Sequence, residues 1–383
     1  MSSMDADVAV IGLGAWGSSA LWRLAARGVD VVGFERHAPG HAYGSSHGGS
    51  RMFRTACLEH PGLVDLARLS RELWRELESA SGRKLFTASG GLLAGPRDGH
   101  LVPAALAVAR ARGLEVDVLD AGELRRRFPA HAGIGDRDAG VWEVGAGLVR
   151  PEETVRAAVD AAVGAGARVY ADTRVIAVEP GAGDVVVRTP VREFRVRQAV
   201  VTAGSWLSAL VPGLPLEAVR MPTTWFAPLV GRTGDFRLEE FPVFIRELGD
   251  GTSLWGHGSE RDGDPVKLGL EDGGGTFDVV DPEALDRSVH RRDWTGAAER
   301  LPAAFPGLDP VPARAEVCLF TRTSDRQFVL GRPDGHPRLL VGGGCSGHGF
   351  KHATGIGEVL AALTVGEKPP VDMGFTDPDR FTA

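Results

Sequence analysis

Residues 7–35 read DVAVIGLGAWGSSALWRLAARGVDVVGFE. The stretch opens with a short apolar, β-branched run over Asp7–Leu13, which predicts a buried strand. Helical spacing follows over Trp16–Arg27, and a second apolar strand over Val29–Phe34 is followed by an acidic residue. Strand, glycine turn, helix, strand and acid in this order indicate the first unit of a Rossmann-like α/β fold.

Three glycines in this stretch, Gly12, Gly14 and Gly17, have the spacing G-x-G-x-x-G. In a dinucleotide site the first glycine allows a tight turn, the second lets the backbone approach a pyrophosphate, and the third lets the helix pack on the strand. The helix N-terminus then faces the phosphates with its free N–H groups. Glu35 can accept hydrogen bonds from both ribose hydroxyls and repels a 2′-phosphate, which argues against NADP. The motif predicts a bound dinucleotide, with Arg36 beside it, and alone does not separate FAD from NAD.

The composition of the 383-residue chain argues against several classes of protein. Its formal net charge is −7 and its arginines are scattered, unlike a nucleic-acid-binding or anionic-membrane surface. No apolar run is long enough to span a bilayer, and the acidic N-terminal residues do not resemble a signal peptide. The three cysteines, Cys57, Cys318 and Cys345, do not suit a disulfide framework or a zinc site. We therefore expect a cytoplasmic protein without a metal.

Lysine is rare in this sequence. The four lysines are Lys84, Lys267, Lys351 and Lys368, and almost every other cation is arginine. Where a lysine is retained in a sequence that otherwise uses arginine, the functional interpretation is that the position needs a compact ammonium that can lose its proton. Chance survival of the four lysines is the alternative.

Four further segments point to a family. They are GSSHGGSRMFR at 44–54, VKLG at 266–269, CLFTRTSDRQFVLG at 318–331 and SGHGFK at 346–351. In this order and at these separations the chain resembles the monomeric sarcosine oxidase and N-methyltryptophan oxidase family, within the D-amino-acid-oxidase superfamily of FAD-dependent oxidoreductases. The resemblance covers nearly the whole chain, and SGHGFK is its most specific part.

The resemblance implies an α/β (α+β) fold with two domains. One is a Rossmann-like FAD-binding domain, and the other is a substrate domain built on a mixed or antiparallel sheet. We predict a discontinuous FAD-binding domain over residues 1–85, 148–218 and 315–383. The substrate domain then covers residues 86–147 and 219–314.

By the same resemblance, Cys318 is the attachment point for the 8α-methyl of the flavin, so the cofactor is FAD bonded covalently to the protein. The chemistry requires a thiolate at the edge of an electron-poor ring, and a nearby cation would lower the thiol pKa. Without the flanking motif, the interpretation of an isolated cysteine is a small buried hydrophobic residue.

Five polar residues are implied in the reaction. Arg51 and Lys351 form the pair that grips the substrate carboxylate, because a guanidinium fixes orientation and an ammonium adds charge. Lys267 resembles the lysine that promotes reaction with oxygen through a fixed positive charge. His47 and His348 resemble the family's flavin-side histidines, although a lone histidine is more often structural. Besides the glycine motif and Cys318, the residues implied to contact the cofactor are Ser45, Ser50, Arg51, Val175, Gly204, Gly347, His348, Gly349 and Lys351.

The chain departs from the family in its predicted pocket. Leu254 and Phe320 stand where the family has substrate-side tyrosines, and Glu271 stands where sarcosine oxidase has an active-site histidine. Arg54 is interpreted as a surface-loop or supporting cation. These differences predict a pocket with a more apolar wall and a more acidic wall, so sarcosine should be a poor substrate and a bulkier or more cationic amine a better one.

The implied reaction oxidises the C–N bond of a secondary (N-methyl or cyclic) amino acid to an imine and reduces O2 to H2O2. We expect a monomer whose partners are this amine and oxygen, without nucleic acid or membrane. The alternatives are a flavin-dependent amino-acid dehydrogenase, a specialised-metabolism oxidase acting on a bulkier amine, an NAD-dependent dehydrogenase, and a non-catalytic flavin-binding module. The NAD enzyme leaves the Cys318 segment unexplained, and the flavin-binding module leaves the carboxylate-binding cations without a purpose.

Overall fold

The computed structural model describes residues 4–271 and 277–381. Over these ranges the chain forms two large sheets, a small third sheet and the helices that cover them. The strands are β1 (Ala6–Ile11), β2 (Val31–Phe34), β3 (Arg51–Phe53), β4 (Phe86–Ala88), β5 (Gly91–Pro96), β6 (Asp117–Asp120), β7 (Asp138–Glu143), β8 (Gly147–Val149), β9 (Arg168–Tyr170), β10 (Ala177–Pro180), β11 (Val185–Arg188), β12 (Glu193–Val201), β13 (Glu217–Pro228), β14 (Val243–Glu247), β15 (Ser253–His257), β16 (Val266–Leu270), β17 (Leu308–Arg322), β18 (Val329–Gly331) and β19 (Leu339–Gly343). The α-helices are α1 (Ala15–Ala26), α2 (Leu63–Ser81), α3 (Leu101–Arg112), α4 (Ala121–Arg127), α5 (Pro151–Gly164), α6 (Leu207–Leu210), α7 (Arg292–Ala298), α8 (Leu301–Ala304) and α9 (Ala353–Val365).

The first large sheet has a parallel centre in the order β9-β2-β1-β12-β19. The hairpin β10–β11 extends the sheet beside the first half of β12, and β18 pairs with β19, both antiparallel. In the register of the centre, Val8 lies between Val31 of β2 and Gln198 of β12. Strands from the beginning, middle and end of the chain therefore meet in one sheet.

β1 is buried on both faces, as its continuous apolar run predicts. Val8 and Val10 pack into a core shared with α1, α5 and α9, whereas Ala9 and Ile11 pack into a second core on the opposite face. Helix α9 lies so close to α1 that a Cβ atom at Gly357 would come within 2.4 Å of a Ser19 atom. The two cores fix the position of β1 in the sheet, and the glycine motif begins directly after the end of this strand.

The second large sheet has the order β17-β13-β16-β15-β14-β5-β7-β6. Its strands are antiparallel except for the pair β14 and β5. One face carries Phe226, Phe244 and Leu254, which pack against α4, α7 and α8. The other face carries Trp225 and Lys267, and the lysine reaches the loop before β3.

The third sheet is small and antiparallel, in the order β3-β8-β4. Strand β3 begins at Arg51, so it leads the chain from the loop that contacts Lys267 towards Arg54. The predicted fold class is therefore confirmed: a Rossmann-like parallel sheet with its helices, combined with a second, mostly antiparallel sheet.

The strands of the first large sheet all fall in the ranges predicted for FAD binding. β17 is a single strand, so the boundary predicted between residues 314 and 315 falls inside it. The division into two functional domains stays a prediction. No helix in the described ranges is long and apolar enough to cross a bilayer.

Candidate cofactor cavity and active site

A cavity of about 280 Å³ lies at the carboxyl ends of the parallel strands. This is where open α/β sheets bind their ligands. We name its two ends after Glu35 and Cys318, which both line it. The predicted cofactor residues that line the cavity are Gly12, Gly14, Glu35, Arg36, Ser45, Arg51, Val175, Gly204, Cys318, Gly347 and Gly349. The predicted residues that do not line it are Gly17, Ser50, His348 and Lys351.

The three motif glycines meet different surroundings. Gly12 has a φ of +87°, and a Cβ there would lie 2.8 Å from the Ala203 Cα, while a Cβ at Gly17 would lie 1.9 Å from the Gly12 carbonyl oxygen. The protein's own packing therefore requires these two glycines. A Cβ at Gly14 would meet only the Ser46 Oγ at 3.6 Å, an ordinary contact. The free space at this position suits the close approach of a pyrophosphate.

The helix that follows the motif is open at its start. Gly14 gives α1 no side-chain cap, and the first turn contains no acidic residue. Helix N-terminal N–H groups carry partial positive charge and need acceptors. The Ser46 Oγ accepts one of them, from Ala15, at 3.1 Å. The residues present thus fit the phosphates of a dinucleotide.

Glu35 is buried at its end of the cavity with its carboxylate already oriented. Its Oε2 accepts the N–H of Leu13 at 2.8 Å, its Oε1 accepts the N–H of His37 at 3.1 Å, and His41 Nε2 lies 3.2 Å away. Burial acts to raise the pKa of this carboxyl, but His41 and the two backbone donors hold it below its usual range. The ionised oxygens keep further lone pairs for ribose hydroxyls.

At the other end, Cys318 is buried beside a guanidinium. Arg51 Nη2 lies 3.6 Å from the Cys318 Sγ, and the same side chain donates to the carbonyls of Ser45 at 2.9 Å and Ser50 at 2.8 Å. Burial raises the pKa of the thiol, against the opposing charges of Arg51 and Lys267. The cations expected to lower this pKa are present, but burial outweighs them.

Lys267 is buried on the sheet face that looks towards the loop before β3. Its Nζ donates to the carbonyls of Gly48 and Ser50, each at 2.9 Å, and lies 5.1 Å from the centre of the Trp225 ring. Burial, reinforced by the charge of Arg51, holds the pKa of Lys267 well below its usual range.

His47 lies in the same region and is buried. Burial, with a contribution from Arg51, lowers the pKa of His47 to about 4, so the ring is neutral near pH 7. Its Nδ1 lies 3.6 Å from a Glu316 oxygen, beyond hydrogen-bond distance. The structure brings His47, Arg51, Lys267 and Cys318 into one neighbourhood, which we call the thiol-end cluster.

Lys351 belongs to a different group. Its Nζ donates to Glu59 Oε1 at 2.9 Å, and Arg54 Nη2 donates to the same oxygen at 2.8 Å. Burial alone acts to raise the pKa of the Glu59 carboxyl, but Arg54 and Lys351 hold it well below its usual range. Arg51, the predicted partner of Lys351, makes its contacts in the thiol-end cluster instead. We call Arg54, Glu59 and Lys351 the carboxylate cluster.

His348 is packed beside the carboxylate cluster. Its Nε2 lies 3.0 Å from the Arg326 carbonyl oxygen, and its ring stacks on Phe328 with centroids 4.7 Å apart. Burial lowers the pKa of His348 to about 4, while the charge of Glu59 opposes this. The contacts resolved for this ring are those of a neutral, packed histidine.

The aromatic side chain on the active-site face of β15 is Trp255. It pairs with Gly269 of β16, two residues from Lys267, so both side chains point to the same face. Its indole donates to the Leu270 carbonyl at 3.0 Å. Leu254 lies in the core on the opposite face, so it does not occupy the substrate-side position predicted for it.

Two further residues of the predicted pocket lie on this side of the sheet. Phe320 lines the cavity together with Cys318. Glu271 alternates with Lys267 and Gly269 and follows the end of β16 on the same face. Partial desolvation raises the pKa of its carboxyl, against the charge of Arg54.

Residues 7–363 match the DAO family, whose description is FAD dependent oxidoreductase. The chain belongs to this family. It is 37% identical to a monomeric sarcosine oxidase of Streptomyces avermitilis, over 98% of each chain. It is 30% identical to an N-methyl-L-tryptophan oxidase of Citrobacter koseri, over 99% of this chain and 100% of that one.

The fold of this FAD-dependent oxidoreductase is similar to that of known structures. A single-substitution variant of NikD, an unusual amino acid oxidase essential for nikkomycin biosynthesis, superposes with a TM-score of 0.85 at 25% identity, over 98% of each chain. The match to FAD enzymes over nearly the whole length agrees with the resemblance seen in the sequence and excludes the NAD-dependent alternative.

Sequence reasoning missed three residues of the site. Arg54 is predicted only as a surface-loop or supporting cation, and Glu59 and Trp255 are not singled out. Arg54 lies in one of the family segments, and its signal was a second arginine three positions after Arg51. Glu59 gave no signal, because its partners are brought to it only by the fold.

Proposed function

We propose that this protein is an amine oxidase that uses FAD to oxidise a secondary amino acid to an imine, with Arg54 and Lys351 binding the substrate carboxylate. The carboxylate cluster carries this proposal. Two cations on separate elements converge on one carboxylate oxygen, that of Glu59, at 2.8 and 2.9 Å. The Glu59 oxygen stands in for the kind of group that these two donors would bind on a substrate.

The role predicted for Arg51 therefore passes to Arg54. Arg51 supplies positive charge beside the Cys318 sulfur, which favours the thiolate form that covalent attachment needs. A thioether between Cys318 and the flavin 8α-methyl is part of the proposal. Its support is the position of Cys318 on the cavity wall and the family segment that contains it.

FAD, when bound, accepts a hydride from the carbon next to the amine nitrogen. The protein's part is to hold the substrate by its carboxylate and to limit its size. Trp255 lies on the same face of the second sheet as Lys267, where its indole would form an aromatic wall beside the substrate. Because of the bulk of Trp255 and the acidic side chain of Glu271, we still expect sarcosine to be a poor substrate compared with larger or more cationic amines.

Lys267 supports the choice of oxygen as electron acceptor and of H2O2 as product. Its Nζ is fixed by two backbone carbonyls and an aromatic ring, so in its protonated form it needs no rearrangement to stabilise developing negative charge. A buried cation of lowered pKa is also able to release a proton to a reduced oxygen species. A monomer in the cytoplasm is our proposal from the sequence.

The proposal is tested by adding amines to the purified flavoprotein without oxygen and following the flavin absorbance. The panel runs from sarcosine through N-methyltryptophan, pipecolate and proline to primary amino acids. Bleaching by secondary amino acids, followed by recovery of colour and peroxide formation in air, is the expected result. An oxidised spectrum with every amine would remove the proposal, and bleaching without recovery in air would indicate a dehydrogenase.

A further inference from the structure

One long connection of the second sheet crosses to the cofactor cavity. It leaves β16, is described from residue 277 onwards, and ends where α7 begins at Arg292. At its start it is tied to β13 by backbone pairing. Val279 forms an antiparallel bridge with Val219, and the Val280 N–H donates to the Ala218 carbonyl at 2.9 Å. We call residues 277–291 the strap.

The other end of the strap is held by a buried ion pair. Arg220 of β13 pairs with Asp293 of α7 at 2.6 Å, and the side chains are only 6% and 4% exposed. The same guanidinium donates to two strap carbonyls, those of Asp286 at 3.2 Å and Ser288 at 2.7 Å. The strap is therefore anchored to the second sheet at both ends.

The middle of the strap reaches the first sheet through Glu283. Its carboxylate receives both terminal nitrogens of Arg36, at 2.7 and 3.1 Å, and the Nη2 of Arg174 at 2.9 Å. Glu283, Arg36 and Arg174 all line the cofactor cavity. Arg36 also lies over the ring of Trp206, 5.5 Å from its centre. The mouth of the cavity beside Glu35 is thus bordered by a carboxylate from the other sheet.

A second strap contact lies further along. The Arg287 Nη2 donates to the Tyr43 carbonyl at 2.6 Å, and its guanidinium lies 5.4 Å from the centre of the Tyr43 ring. Tyr43 directly precedes the segment that contains Ser45 and Arg51. The strap therefore contacts the connection between β2 and β3 at two points, Arg36 and Tyr43.

We propose that the strap closes the Glu35 end of the cofactor cavity, with Glu283 as its latch, and that FAD enters, and leaves where it is not bonded to Cys318, when the latch opens. This inference rests on the FAD binding proposed above. The anchors and the latch differ in strength. The Arg220–Asp293 anchor is buried, whereas Glu283 is 40% exposed and its two arginine partners are 32% and 51% exposed. Exposed ion pairs are weak, so the latch opens while the anchors hold.

The test uses the full chain carrying Cys318→Ser, so that FAD exchanges freely. The probe is FAD itself, and its rates of association with and dissociation from the protein are followed by flavin fluorescence. Adding Glu283→Gln keeps the size of the side chain and removes its charge. Opening a gate speeds passage in both directions, so we expect both rates to rise by about three- to ten-fold with Kd changed less than about two-fold.

The control is Glu239→Gln, which makes the same charge change at an exposed position that does not line the cavity. It should leave both rates as they were. If Glu283→Gln leaves both rates unchanged, the proposal for the strap is wrong. A rise in the dissociation rate alone would also overturn it, because that result would make Glu283 a direct contact of the cofactor. A chain that binds no FAD either with Cys318 or with Cys318→Ser would remove the proposed function, and the strap with it. If Cys318→Ser does not fold, the association rates of the chain with Cys318 are compared instead, and a rate that Glu283→Gln leaves unchanged overturns the strap.

Discussion

The thiol-end cluster and the carboxylate cluster differ in what their positive charges face. In the thiol-end cluster, Arg51 and Lys267 donate to backbone carbonyls and approach a thiol. In the carboxylate cluster, Arg54 and Lys351 share one oxygen of Glu59. The first arrangement holds positive charge without neutralising it fully. The second already has a carboxylate in place.

This difference shows how an arginine and a lysine can serve different functions in the two clusters. Uncompensated charge in a buried site favours negative charge that appears during a reaction, because no dipoles have to reorganise. Two cations that are already paired with an internal carboxylate can also bind the carboxylate of a substrate. Binding then depends on competition between the internal carboxylate and the incoming one. This contrast is the reason for proposing electron and oxygen chemistry at the thiol-end cluster and substrate binding at the carboxylate cluster.

The largest expected effect separates the two arginines. Arg54→Met leaves Lys351 alone with a buried carboxylate, and we expect the Kd of a small carboxylate such as acetate to rise by about 10²–10³-fold. The matched variant Arg51→Met, reconstituted with FAD, should change this Kd by less than about five-fold. Titration of the flavin absorbance measures both. A larger effect at Arg51 would support the pairing of Arg51 with Lys351 that the sequence predicts. It would also contradict the division of roles between the two clusters.

Lys267→Met tests the charge of the thiol-end cluster. We expect the reaction of the reduced flavoprotein with oxygen to slow by about 10²–10³-fold, while anaerobic reduction by the amine changes little. Rapid mixing of the reduced protein with oxygenated buffer gives the rate. Lys84→Met, at a side chain that is 65% exposed, is the control. Equal losses in both half-reactions would show that Lys267 acts on the flavin site as a whole.

Glu59→Gln sharpens the account of the carboxylate cluster. A neutral amide competes less well than a carboxylate for the two cations, so small carboxylates should bind about five-fold more tightly. Because the pKa of Glu59 is held well below its usual range, this advantage should stay constant between about pH 5.5 and about pH 8. Weaker binding would mean that Glu59 instead holds Arg54 and Lys351 in position for the substrate.

The smallest effect concerns stability in the flavin-free protein. The folded-state pKa of Lys267 is below its ordinary value of 10.5, so the unfolded chain binds more protons and stability rises with pH up to that value. Lys267→Met removes this cost, and we expect Tm to rise by about 1–3 °C near neutral pH. The gain should shrink as the pH approaches the ordinary lysine value. A gain that is equal at all pH values would indicate improved packing alone.

The parts of the molecule that depend on neighbouring residues are predictable from the sequence. The glycine turn, its helix and the following acid lie within one continuous stretch, and the cavity forms around them. Cys318 also lines this cavity, as the family segment predicts. Each of these features follows from a short local pattern of residues that is compatible with few other structures or functions.

The choice between Arg51 and Arg54 could not be made locally. Both lie in one segment, and the decision depends on how the chain turns after β3. There Glu143 accepts the N–H groups of Thr55 at 2.7 Å and Ala56 at 3.0 Å, which fixes the path towards Glu59. Glu143 is distant in sequence, so only the fold reveals this support.

The position of Trp255 illustrates a second limit. Successive residues of a strand point to opposite faces, and an error of one residue exchanges the core for the active site. Leu254 and Trp255 are both large and apolar, so the pattern alone does not show which one is turned to the core. The pairing of β15 with β16 decides it, because Lys267 marks the active-site face.

One contact has a consequence for how the enzyme is made. The indole of Trp16, the second residue of α1, donates to the Gly349 carbonyl at 3.1 Å, and a Cβ at Gly349 would lie 2.7 Å from that ring. Gly349 is synthesised 333 residues after Trp16. Trp16 and Gly349 both line the cavity, so the cavity is complete only once the segment around Gly349 has been synthesised, and we expect stable loading with FAD only after that point.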